Sequence, residues 1–110
     1  MKKASENRNY IAWFVKKTND GTFATKDDLF YFVVDALTAD FDDWAELSSV
    51  VADVIFGYRV DVFRDGIHDK YWFESVGDAI KCADSVRTDD NSVYVLKQRS
   101  AGWYDIVKCI

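Results

Sequence analysis

Tyr58-Arg59-Val60-Asp61-Val62-Phe63-Arg64-Asp65-Gly66-Ile67-His68-Asp69-Lys70-Tyr71-Trp72-Phe73-Glu74 is the stretch on which the fold turns. Two β-rich runs, Tyr58 to Arg64 and Ile67 to Glu74, flank Asp65-Gly66. An Asp-Gly pair between such runs marks a hairpin with a two-residue type I′ turn. Pairing about that turn sets Val60 opposite Tyr71 and Tyr58 opposite Phe73 on one face. The other face carries Asp61–Lys70, Arg59–Trp72 and Phe63–His68, so an opposite-charge pair, a cation beside an indole and an aromatic pair fall into register together. A slip of one residue would break all three.

Working outward, Ser75 with Asp78 opens a helix whose apolar stripe is Val76, Ala79, Ile80, Ala83 and Val86. Asp89-Asp90-Asn91 ends that segment, and a second hairpin follows, Ser92 to Arg99 with Trp103 to Cys109. A loop of Ser100-Ala101-Gly102 would place Gly102 in the left-handed region, and its register opposes Lys97 to Asp105 and Val95 to Val107. These strands are apolar on both faces, which places one of them inside the sheet.

Upstream, Thr25 and Asp28 resemble a capping box, and Leu29, Phe32, Val33, Ala36 and Leu37 predict a helix over 26–38. A further helix is expected over 41–56, with Asp40 as N-cap and Gly57 past its end. Its apolar stripe is Trp44, Leu47, Val51, Val54 and Ile55, and its polar face is Asp42, Asp43, Glu46, Ser49 and Asp53. Tyr10 to Thr18 is β-rich, half alternating and closed by Asn19-Asp20-Gly21, so it reads as a first strand. The expected order is β-α-α-β-β-α-β-β. That is an α+β fold, with a mainly antiparallel sheet of about five strands and three helices packed on one face. The 110 residues suit a single domain with residues 1–8 as a flexible lead-in.

Composition narrows the function. The chain is 49% apolar and 16% aromatic, enough for a core without staples. No apolar run reaches membrane-spanning length and no secretory leader is visible, so a cytoplasmic protein is expected, with no membrane partner. Cys82 and Cys109 are expected as free thiols. His68 is the sole histidine and there is no C-x-x-C, so no zinc-type spacing exists. Asp40, Asp42, Asp43 and Glu46 cluster, but without the spacing of a calcium loop. No serine sits in G-x-S-x-G, and five scattered glycines cannot build a phosphate loop. The chain is therefore expected to be no enzyme, and to hold no metal or cofactor.

Charge is the strongest remaining signal. The net charge is −5, yet Lys26 to Phe56 holds eight acids against Lys26 alone, while residues 1–18 sum to +4. That acidic stretch repels phosphates, so no direct contact with nucleic acid is expected, and a basic partner is favoured. Asp27, Asp28, Asp40, Asp42 and Asp43 are accounted for by helix starts, where carboxylates meet free N–H groups. Asp35, Glu46 and Asp53 are not, and sixteen Asp against three Glu is a preference helix propensity would not produce. The candidate partner-binding residues are Asp35, Asp42, Asp43, Glu46 and Asp53 on the acidic helices, with Arg59, Phe63 and Trp72 on the hairpin. Trp13, Trp44 and Trp103 read as core or half-buried.

Small acidic aromatic-rich domains without catalytic groups are similar in general character to phage-borne anti-restriction and anti-CRISPR inhibitors. They are equally similar to immunity proteins that neutralise nuclease toxins. The likeness is one of size and charge, with no motif shared. It implies a non-enzymatic inhibitor of a basic nucleic-acid-handling protein, such as a nuclease or a CRISPR or restriction component. Two alternatives stand beside it: a small enzyme or ligand-binding domain using His68, Cys82 or the carboxylates, and a structural or oligomerisation module.

Overall fold

The computed structural model describes residues 2–100 and 103–109, and of Arg99, Ser100 and Trp103 the backbone alone. Among the described residues the class is α+β, with four α-helices and a four-stranded antiparallel sheet. Two compact units divide the chain at Ile55/Phe56.

The N-terminal unit is helical: α1 (Arg8–Thr18), α2 (Lys26–Leu37) and α3 (Trp44–Ile55). The expected strand over Tyr10–Thr18 is thus a helix, and the strand count falls from five to four. The β-rich composition misleads here because burial follows a helical period. Ile11 and Val15, one turn apart, are both buried, while Tyr10 and Trp13 lie outward. α2 forms where expected, with the Thr25 side chain accepting from the Asp28 N–H. Phe32 and Ala36 of its expected stripe are exposed, however, and Val34 is buried beside Leu29, Val33 and Leu37. α3 starts later than expected. Asp43, not Asp40, caps it, its carboxylate accepting from the N–H groups of Ala45 and Glu46. Thr38–Asp40 form a 3₁₀ turn instead, which leads into buried Phe41.

Leu47, Val51 and Ile55 are buried as the stripe requires, joined by Val50, Leu29, Val33, Val34 and Leu37. Trp44 is exposed, and so is Trp13, so neither indole fills the core. Asp53 departs furthest from expectation. It is only 2% exposed, not on a solvated face, and the Arg8 guanidinium reaches it at 3.2 Å. Within residues 1–8, Lys2 bridges to Phe41 and Ala4 is buried.

The C-terminal unit is β1 (Tyr58–Arg64), β2 (Ile67–Phe73), α4 (Val76–Val86), β3 (Ser92–Ser100) and β4 (Trp103–Cys109), in sheet order β2-β1-β3-β4. The first hairpin has the expected register throughout: Tyr58↔Phe73, Arg59↔Trp72, Val60↔Tyr71, Asp61↔Lys70 and Phe63↔His68. Asp65 (φ 50°) and Gly66 (φ 79°) both occupy the left-handed region that a type I′ turn demands. Ser75 caps α4 through the Asp78 N–H. The helix buries Ala79 and Ala83, with Ile80, Cys82 and Val86 packed nearby, against Val60, Val62, Val93 and Val95. β3 is the internal strand the two-faced apolar pattern called for.

In the second hairpin Lys97 opposes Asp105 as expected, but Val95 opposes Lys108 rather than Val107. A bulge between Val95 and Leu96 leaves Val107 as the extra residue. Ser100 belongs to β3 rather than to the turn, and the expected left-handed Gly102 lies outside the described residues.

Candidate functional site

Alternation along β1 sends Val60 and Val62 toward α4 and turns Arg59, Asp61 and Phe63 to the opposite face. Residues paired across the ladders share that face: Trp72, Lys70 and His68 on β2, Leu96, Tyr94 and Ser92 on β3, and Ile106 on β4. At its centre Asp61 is buried, which requires its charge to be met. Arg59 meets it through Nε at 2.6 Å and through a second nitrogen at 3.0 Å, a two-point contact of the strong kind. His68 Nε2 lies 3.0 Å from Oδ2, the oxygen that also accepts from that second Arg59 nitrogen. The residues bracing this network are aromatic. The Phe63 ring stacks on His68 at 4.1 Å, Tyr94 meets Phe63 edge-on at 5.9 Å, and the Arg59 guanidinium lies 4.3 Å over Tyr104.

The expected Arg59–Trp72 opposition is present in the backbone register, while the guanidinium lies over Tyr104, on a strand the local sequence could not bring beside it. Next to the network runs an open groove of about 480 Å³, lined by Asp61, Phe63, Ser92, Tyr94, Leu96 and Ile106. Phe63 is 42% and Ile106 65% exposed.

The helical candidates separate. Asp35, Asp42 and Asp43 are exposed. Asp43 is occupied as a helix cap, and Asp53 is buried on Arg8. Glu46 accepts the Ser5 backbone N–H at 2.8 Å. That bond, seconded by the Ser5 side chain, holds its carboxyl below the usual glutamate range. Sequence reasoning assigned Glu46 and Asp53 to display, and the structure assigns both to internal contacts. Their partners, Ser5 and Arg8, are too distant in sequence for any local pattern to reveal them.

His68 and Ser92 lie on the two strands that flank β1, with Phe63 between them, so about 9–10 Å of sheet separates their backbones. Cys82 packs with the core on the α4 side, and burial pushes its thiol up rather than toward the reactive thiolate. Among the described residues, no group of three or more His, Cys, Asp or Glu is arranged to hold a metal ion. No helix among them is long and apolar enough to cross a membrane. A scan against protein-family models, a search of the curated proteins and a search of the solved structures each found no match to this chain.

Proposed function

We propose that this chain is a non-enzymatic protein-binding module that docks through the sheet face opposite α4 and inhibits a basic nucleic-acid-handling protein. The observation that carries the reading is the aromatic groove beside the Arg59–Asp61–His68 network. Interface hot spots concentrate in aromatic residues and arginine held in fixed positions, because a pre-ordered side chain loses little entropy on binding. Phe63, Tyr94 and Tyr104 are braced by stacking, and Arg59 is fixed by two hydrogen bonds.

The exposed acids, Asp27, Asp28, Asp35, Asp40 and Asp42 among them, have a separate part. Their field accelerates encounter with a basic partner without any of them needing to sit in the final interface. The likeness in size and charge to phage anti-CRISPR and anti-restriction inhibitors and to nuclease immunity proteins supports the choice of partner class.

The test is a pull-down from bacterial lysate at low and high salt, comparing the wild type with a Phe63→Ala/Ile106→Ala variant. The expected result is a basic protein retained by the wild type, released by salt and lost with the variant. Equal retention by both would move the interface off this face. The His68–Asp61 contact and the groove's volume, within the range of small-ligand sites, favour a second reading as a ligand-binding domain. Thermal stabilisation by a compound library, with no protein captured, would select it.

A further inference from the structure

The outward side of α2 carries aromatic rings where a solvated helix face would carry polar groups. Successive helical residues turn by about 100°, so Asp28, Tyr31, Phe32 and Asp35 share one stripe, opposite buried Val33, Val34 and Leu37. Tyr31 is 66% and Phe32 52% exposed. Phe30 meets the Tyr31 ring edge-on at 5.2 Å, and Phe23 lies 5.4 Å from the Phe32 ring, so both are braced from one side. Among the described residues no cation lies over either ring.

The two acids of the stripe stand one turn before and one turn after these rings, about 10 Å apart along the axis. Both are exposed. Among the described residues neither carboxylate joins a hydrogen bond or ion pair, unlike those of Asp43, Glu46 and Asp53. Asp28 has a use at the helix start, where the dipole favours it. Asp35 has none. It sits in the last turn of α2, which holds no basic residue, so its charge faces the negative end of the dipole. Lys26, the cation of α2, is two residues from Asp28 and therefore on the far side of the helix.

Unpaired carboxylates on either side of exposed rings call for a cation. Asp28 and Asp35 repel an anionic lipid surface and nucleic-acid phosphates alike. An apolar segment would cover the rings but strip water from both carboxylates with nothing in return. A guanidinium serves both halves, because it stacks flat on an aromatic face while its edge donates two hydrogen bonds to a carboxylate. An ammonium is a compact point charge without that fork. On a helix, arginines seven residues apart have the same two-turn separation as Asp28 and Asp35. We propose that the outward stripe of α2 docks an arginine-bearing helix of a basic protein, each arginine paired with Asp28 or Asp35 and lying against Tyr31 or Phe32. This rests on the sheet-face reading only for the basic character of the partner.

Two-dimensional amide NMR of the full chain, titrated at low salt with an alanine-rich helical peptide carrying two arginines seven residues apart, tests it. Saturable shifts are expected at Asp28, Tyr31, Phe32 and Asp35. Tyr31→Ala/Phe32→Ala should weaken binding about fivefold, the scale of cation–π contacts at exposed sites. Tyr31→Leu/Phe32→Leu keeps apolar volume without the π faces, and should lose as much even if the alanine variant fails to fold. Asp35→Asn should weaken binding about threefold while leaving the thermal midpoint no lower, a split that a structural role would not give. The same peptide with lysines should bind less tightly. Phe63→Ala/Ile106→Ala should bind the peptide as the wild type does, so failure of sheet-face docking and failure of this proposal are read separately. Wild-type affinity in the leucine variant, equal affinity for the lysine peptide, or shifts spread over all exposed acids would each overturn the proposal. So would shifts of the same residues on concentrating the chain alone, which would assign the stripe to a second copy.

Discussion

Arg8 and Asp53 form an ion pair whose two halves are unequally placed. The carboxylate is 3% exposed and the guanidinium 33%. Losing the cation strands a buried charge, whereas losing the carboxylate frees an arginine that can turn toward water. Arg8→Ala is therefore expected to lower stability by about 2–3 kcal/mol and Asp53→Asn by about 1 kcal/mol, read from urea midpoints at constant slope. The reverse order would mean that Asp53 is held chiefly by other groups.

Glu46 gives a pH signature. Its folded pKa is lowered by the Ser5 N–H, so the contact's contribution is present above the ordinary glutamate range and is lost as pH falls through the folded value. Glu46→Gln should blunt the acid limb of the stability–pH curve, and an unchanged limb would show the bond to be idle. The cysteines should separate by reactivity. Exposed Cys109 is expected to alkylate well before Cys82, whose thiol burial holds protonated, and time-resolved intact mass distinguishes the two.

Among the elements, the β1–β2 hairpin is the clearest test of local coding. Gly66 sits at φ 79° with open space around it, so Gly66→Ala meets no clash and suffers only the backbone penalty, about 1 kcal/mol. Trp72→Ala should cost a similar amount, about 1 kcal/mol, through lost cross-strand contact. Both are measurable by thermal denaturation, and a neutral Gly66→Ala would show that the turn relaxes.

This hairpin was legible from sequence because turn chemistry and register are fixed within a few residues of Asp65-Gly66. The α2 and α4 caps were legible for the same reason. Helix α1 was not, since Tyr10, Ile11, Trp13, Phe14 and Val15 have the composition of a strand, and only the packed unit shows that Ile11 and Val15 share one face. The sheet face was half legible. Register alone places Arg59, Phe63 and Trp72 together. Tyr94, Leu96, Tyr104 and Ile106 join them only through the β1–β3 and β3–β4 pairings, which depend on strand order and on a bulge that no turn residue announces.

At the scale of the whole molecule, charge acts apart from folding. Asp35 and Asp40 are exposed acids, so Asp35→Asn/Asp40→Asn is expected to keep stability within about 0.5 kcal/mol. If the acids steer a basic partner, the same variant should lower the association rate, measured by stopped flow at low salt, and the difference should vanish as salt is raised. A rate unaffected at every salt concentration would remove the steering role.

The bulge at Val107 has its own reach at this scale. β4 ends the sheet, with Ile106 and Val107 both exposed, and a flat apolar border of that kind invites copy after copy to add on. The surplus residue breaks the spacing of the free amide and carbonyl groups, so an incoming strand cannot match it beyond a few positions. Removing Val107 would let Lys108 follow Ile106 in an unbroken ladder. The shortened chain is expected to scatter light at concentrations where the natural one does not, and equal scattering by both would show that the surplus residue guards nothing.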